Sequence, residues 1–180
     1  MSLKCHFELL ASYNQWMNSK VYETAGQLSA TDLAKDRGAF FGSILGTLNH
    51  ILVGDTIWLK RFATHPSCLN SLREVAELQN PTSLGQILFD DLGSLFKQRI
   101  WLDRQVVSWI AQLSEGDLDF ILSYYNTKGI PANKRYSNLM LHFFNHQTHH
   151  RGQVSTLLSQ AGVDIGVTDL LAQIPEEPHL

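Results

Sequence analysis

The chain has 180 residues, 44% of them hydrophobic and 17% charged, with a net charge of −3. That length suits one globular domain spanning residues 1–180, large enough to bury a core without a disulfide or a metal to hold it. The acidic balance argues against a nucleic-acid partner, which calls for a basic stripe, and no apolar run reaches the length of a membrane span.

The start, MSLKCHFELL, carries no secretory-type apolar stretch or cleavage site. Cys5 and Cys68 show no metal-like spacing and fit a reducing compartment, so the chain reads as cytoplasmic. The compositional oddity is histidine, with eight in the chain and four of them between positions 142 and 150.

In chain order, Leu9, Leu10, Tyr13, Trp16, Met17 and Val21 recur at three- and four-residue steps and predict a first helix over about 3–28. Ser29 to Asp32 reads as a break. Ser43 can cap a second, very apolar helix that carries Ile44, Leu48, Ile51, Leu52, Trp58 and Leu59 and ends near Phe62, before Pro66. Residues 64–82 read as a loop with a helical turn around 72–78. Ser83 and Gln86 have capping-box spacing and predict the start of a third helix, with Leu88, Leu92, Leu95, Leu102, Val106, Trp109 and Leu113 as its stripe.

Phe120 to Tyr125 is β-prone, and Gly129 and Pro131 turn the chain. Ser137 is the expected cap of a fourth helix that stops at Gly162. Four long amphipathic segments imply an all-α four-helix bundle, with long crossover loops at 63–82 and 114–136 and a short hairpin near 118–136.

The fourth helix contains HFFNHQTHHRGQ, residues 142–153. His146 and His150 are four apart, which places their Cβ atoms roughly 5–6 Å from each other on one face. Two imidazoles so placed can reach one ion at about 2.0–2.1 Å. His142 and Gln153 extend that face in either direction, and His149 lies about 100° around from His150. His50 sits at the centre of the apolar second helix, where an imidazole is costly to bury without a partner. Taken alone, such a histidine is more often a hydrogen-bonded core residue than a ligand. Together with the pair on the fourth helix, it supplies the three-ligand, open arrangement of a catalytic metal site. The sequence leaves zinc, nickel, copper and iron open, with zinc and nickel foremost.

Other residues have plainer readings. Asp55 points away from His50 towards a salt bridge or cap, and Arg151 is expected to pair with a carboxylate. Gly152 permits a close helix approach or is simply tolerated. Gln153 is a candidate to orient a ligand or touch substrate. The four tryptophans read as core, and Tyr124 and Tyr125 as sheet packing or a pocket mouth. His6, His65 and His179 read as solvated. No glycine-rich phosphate loop, G-x-S-x-G or Cys–His pairing is present.

The stretches YNQWMN (13–18), SILGTLNHILVGDTIWLKRF (43–62) and HFFNHQTHHRGQVSTLLSQAG (142–162) resemble the DinB family of metal-binding bundle proteins, in order and spacing across nearly the whole chain. The resemblance implies a four-helix bundle, a divalent ion held by His50, His146 and His150, and a homodimer. Some members of the wider superfamily are transferases or isomerases that use low-molecular-weight thiols. The expected function is therefore a metal-dependent enzyme of hydrolase or thiol S-transferase type acting on a small molecule. The alternative is a non-catalytic, metal-binding or structural homodimeric protein.

Overall fold

A computed structural model of the chain describes residues 2–176, so His179 lies outside the described residues. The protein is mostly helical, with one small antiparallel sheet. Its elements in order are α1 (Leu3–Ala25), α2 (Ala30–Ala34), α3 (Ile44–Phe62), α4 (Arg73–Ala76), α5 (Leu92–Gln112), β1 (Ile121–Tyr125), β2 (Pro131–Arg135) and α6 (Tyr136–Gln160). Helix α1 lies against α5 and α6, and α3 lies mainly against α6. The core between them is filled by Val21, Leu48, Leu52, Leu102, Val106, Phe143 and Leu158, all essentially inaccessible to solvent.

Local chemistry accounts for the bounds of α3. Ser43 Oγ accepts from the amide of Gly46 at 2.9 Å, which satisfies one of the donors a helix start leaves orphaned. After Phe62 the chain turns at Pro66 into a short 3₁₀ segment, Pro66–Cys68. The predicted break after α1 is instead the start of α2, where Ser29 caps through Asp32.

Helix α5 starts at Leu92, not at Ser83. Asp91 caps it by accepting from Ser94 N at 2.8 Å. The expected capping box at Ser83 does not form, because Gln86 Oε1 accepts from Thr82 instead. Residues 88 and 89 are held by α3: Asn49 Oδ1 accepts from Leu88 N and Phe89 N at 2.8 and 3.0 Å, and Asn49 Nδ2 donates to Phe89 O at 2.9 Å. A fully buried amide thus pairs the backbone of this segment, and the segment is unavailable for helix.

The hairpin forms as expected, with Ile121 opposite Arg135 and Tyr125 opposite Pro131. Helix α6 starts at Tyr136, so Ser137 sits in its first turn and Arg135 occupies the cap position without a side-chain bond. Gly162, at φ +83°, follows the last turn of α6 as expected.

A buried polar network ties the four long helices together. Arg99 of α5 pairs with Asp55 of α3 and, at 2.8 Å, with Asp103 one turn along α5. Asp103 Oδ1 also accepts from Asn18 and Asn14 of α1 at 2.9 and 3.3 Å. Arg151 of α6 donates to Asn14 Oδ1, and to Asn18 Oδ1 and Gln147 Oε1 at 3.3 Å each. The expected carboxylate partner of Arg151 is therefore replaced by amides, since Arg99 occupies both carboxylates. Burial pushes the Asp55 carboxyl up to about 7, and the Arg99 guanidinium opposes that shift.

Candidate metal site

The network sets the rotation of the two helices that bear histidines. Asp55 and Gln147 point into it, and each is about 100° around its helix from Gly54 and His146 respectively. With those neighbours fixed, His50 and Gly54 of α3 face His146 and His150 of α6. The ligand-capable nitrogens of His50, His146 and His150 all lie within 4.8 Å of one another. Their ring centroids are 4.4 Å apart for His50–His150 and His146–His150, and 5.2 Å for His50–His146. The structure thus brings together all three histidines singled out from the sequence.

The hydrogen bonds fix which nitrogens are free. His50 Nδ1 is 2.7 Å from the carbonyl of Leu84, an acceptor only, so Nδ1 carries the proton. His150 Nδ1 is 2.8 Å from Gln153 Oε1. The Gln153 amide is oriented by its other end, 3.3 Å from His149 Nε2. Both Nε2 atoms are then bare lone pairs, and they face each other at 3.1 Å. Two lone pairs at that distance repel unless a cation lies between them. Donors at about 2.0–2.1 Å in tetrahedral array stand roughly 3.3 Å apart, so the His50–His150 pair fits a divalent ion, and the His146 nitrogen lies within 4.8 Å of both. Backbone and amide partners on the far ring nitrogens are the usual means of orienting such ligands.

Electrostatics agree. Burial pushes His146 down to about 3, with the neighbouring histidines adding to the shift. Burial also lowers His50 and His150, against the opposing bonds to Leu84 and Gln153. Neutral imidazole is the form a metal takes. Since all three folded-state values lie below the ordinary 6.5, the unfolded chain binds protons first as pH falls. The histidines' contribution to the stability of the metal-free protein should be complete above that value and be lost as pH drops through the window from 6.5 towards 3. Between about pH 7.5 and about pH 5 the Tm should therefore change less favourably in the unsubstituted protein than in His146→Ala, a comparison that cancels the opposite contribution of the raised Asp55 carboxyl. The same Tm change in both proteins would contradict these assignments.

Residues that the sequence reading passed over complete the site. A Cβ on Gly54 would meet His146 Cε1 at 2.8 Å, so only glycine lets His146 lie against α3. Gly54 is one turn beyond His50 on the same face, and that spacing was a readable signal. Gly54→Ala should displace His146 and weaken metal binding by about 10–100-fold, the scale of a disturbed supporting contact. Calorimetric titration checks this, and unchanged affinity would show that His146 can move aside freely. Phe41 stacks on His50 with centroids 3.7 Å apart, and its carbonyl occupies the space a Cβ on Gly46 would need, at 2.1 Å. Nothing in the loop sequence marked it.

The remaining expectations divide. His142 is exposed, with its ring 5.0 Å from that of Trp58 and 6.0 Å from that of His146. His149 is exposed, and Gln153 orients His150. His65 is not solvated. It is 2% exposed, accepts from Ser67 N at 3.1 Å and packs on Phe120 and Tyr136, because the loop after α3 folds under the hairpin. Gly152 approaches nothing and is merely tolerated. Of the four tryptophans only Trp109 is fully buried. Among the described residues no helix is long and apolar enough to cross a membrane.

The model of the DinB family matches residues 1–178. Protein DinB of Bacillus subtilis (strain 168) is 25% identical over 160 residues, which cover 89% of this chain and 88% of that protein. No solved structure matches the chain. With a match that spans every helix from α1 to α6 and includes all three clustered histidines, the chain belongs to the DinB family.

Proposed function

We propose that the protein binds one divalent metal ion, zinc or nickel foremost, through His50, His146 and His150, and is a metal-dependent enzyme acting on a small molecule. The observation that carries this reading is the openness of the site. Among the described residues the cluster contains three ligand side chains and no fourth. His50 and His146 line a cavity of about 250 Å³ with Gly54, Trp58, Arg61 and Tyr124. Three protein ligands with a concave open side is the arrangement of catalytic rather than structural zinc sites.

A divalent ion there supplies Lewis acidity and lowers the pKa of a water or thiol. The chain's own part is to keep three imidazoles neutral, to fix their direction through Leu84 and Gln153, and to wall the open side with apolar and aromatic groups. The reaction type is hydrolysis or thiol-dependent transfer, the latter with a low-molecular-weight thiol as second substrate. The proposal includes one four-helix bundle domain over 1–180, a cytoplasmic location and no nucleic-acid partner.

The test is a panel of hydrolysable esters and amides, and of thiol–electrophile pairs, assayed with metal-loaded and metal-stripped protein. Turnover confined to the loaded form is expected. No turnover, together with an absorption spectrum of the cobalt-substituted protein showing a fourth protein ligand, would favour the non-catalytic metal-binding reading. That alternative draws on the way the three ligands join α3 to α6 across the core.

A two-fold dimer is part of the same proposal, supported by the low charge content and by exposed apolar side chains such as Phe40 at 87% and Leu171 at 75%. Its interface should bury on the order of 1,000 Å² or more. Light scattering at micromolar concentration should give twice the chain mass, and a monomer would count against it.

A further inference from the structure

The cavity beside the histidines continues into a larger one of about 720 Å³, between the C-terminal half of α3, residues 80–84 and the hairpin. Ile57, Arg61, Leu84, Tyr124 and Thr127 line both. The chain has 17 acidic residues against 14 basic ones, yet no acidic side chain lines either cavity, while Lys60 and Arg61 do. A neighbouring cavity of about 460 Å³ on the other side of Tyr124 also lacks acids and carries Lys134 and Arg135. The charge is sorted: the region around the three histidines is cationic in an acidic protein.

These cations differ in what already occupies them. Lys60 Nζ donates to the carbonyls of Ala76, at 3.0 Å, and Leu78. Arg135 pairs with Asp119. Among the described residues the Arg61 guanidinium has no carboxylate partner. It lies over two aromatic rings, 4.7 Å from the centroid of Trp58 and 5.0 Å from that of Tyr124. Partial burial removes some of its hydration and pulls its pKa down. The two rings meet edge to face with centroids 5.5 Å apart, and a planar cation resting on both keeps edge donors free for a bidentate acceptor.

Its position along α3 sets the scale of the ligand. His50, Gly54, Ile57 and Arg61 recur at helical steps on one face. Seven residues separate Arg61 from Gly54, beside His146, or about 10 Å along the axis. Side chains lean back towards the helix N-terminus, which shortens that distance. The span matches a small organic molecule with its anionic group at one end.

We propose that Arg61 is the anion-recognising residue of this site, and that the substrate is a small organic anion whose carboxylate or phosphate is held by the Arg61 guanidinium while its apolar body lies against Ile57, Leu84 and Tyr124, pointed at the three histidines. This rests on the reading of the histidines as the reactive centre. It adds the chemical class of the substrate.

The test uses three probes with one apolar body: 3-phenylpropionate, 3-phenylpropyl phosphate and 3-phenylpropionamide. Binding is measured by tryptophan fluorescence and calorimetry on the full chain, both metal-loaded and metal-free. The metal-free arm decides, because there the anion cannot ligate an ion. At least one of the two anions should bind the unsubstituted protein about ten-fold or more tighter than the amide, the value of a charge-assisted hydrogen bond. The tighter of the two tells carboxylate from phosphate. Arg61→Gln should abolish the preference, and so should Arg61→Met, which keeps the packing on Trp58 and Tyr124. Lys128→Gln, on the hairpin turn outside both cavities, should leave it intact. Both Arg61 variants should retain the metal content of the unsubstituted protein, which separates loss of the anion site from loss of the metal site. A preference that survives in the Arg61 variants, or no preference in the unsubstituted protein, overturns the inference. An Arg61-dependent preference in a protein that takes up no metal would sink the metal reading and leave this one standing.

Discussion

Replacing His150 with alanine should abolish tight binding of a divalent ion, and His50→Ala and His146→Ala should do the same. Three donors cannot spare one, and the loss of affinity should exceed the roughly 10–100-fold that removal of a supporting group costs. The neighbours set the controls. His149 is exposed, its ring stands edge-on to that of His150 at 4.8 Å while its Nε2 meets Gln153, and the His142 ring is nearer to Trp58 than to His146. His142→Ala and His149→Ala should therefore keep the ion, weakened by no more than about 10–100-fold. Gln153→Ala falls in the same range, because it frees the His150 ring to rotate and to change tautomer. His65→Ala should keep full metal content while lowering the Tm, since His65 is buried away from the site. Metal analysis and calorimetric titration of this series check the assignment. If His149→Ala loses the ion and His150→Ala retains it, the wrong member of the adjacent pair has been chosen and the face of α6 is turned.

The largest stability effect should come from Arg99. It is fully buried and holds both Asp55 and Asp103. Arg99→Met leaves two buried carboxylates without their cation, and breaking a buried pair in this way costs about 3–5 kcal/mol. For a chain of this size that corresponds to a fall in Tm on the order of 10 °C. Exchanging all three at once, with Asp55→Leu and Asp103→Leu added, should recover much of the loss, because apolar replacement of a whole buried ion cluster is often neutral or better. Metal affinity should fall with Arg99→Met as well, since the network fixes how α3 and α6 face each other. Circular dichroism melts of the single and triple variants separate these effects. An unchanged Tm in Arg99→Met would remove the network from the account of how the site is held.

Much of this was legible in the sequence where one local cause decides. Helix α3 begins after Ser43 and ends at Phe62 because a cap and a nearby proline act within a few residues. His146 and His150 were readable because helical spacing alone puts them on one face, and His50 because an imidazole in so apolar a helix needs a partner. Expectations failed where a distant group competes. The predicted helix start at Ser83 lost to Asp91, since Asn49, some forty residues earlier, claims the backbone of Leu88 and Phe89. The Arg151 assignment failed because a second arginine, on α5, took the carboxylates. His65 was misread as solvated because burial there depends on Phe120 and Tyr136, which no local pattern connects to it. Leu84 and Phe41, which orient and cover His50, lie in loops whose course only the folded chain defines.

The central claim is that one divalent ion sits among His50, His146 and His150. It is tested most directly by anomalous scattering from a crystal of untagged protein, with the ion counted by elemental analysis of the same preparation. The predicted result is one ion per chain, with nitrogen ligands from those three side chains at about 2.0–2.1 Å if the metal is zinc. A protein that takes up no ion from a supplied divalent metal, or binds it at other side chains, would contradict it.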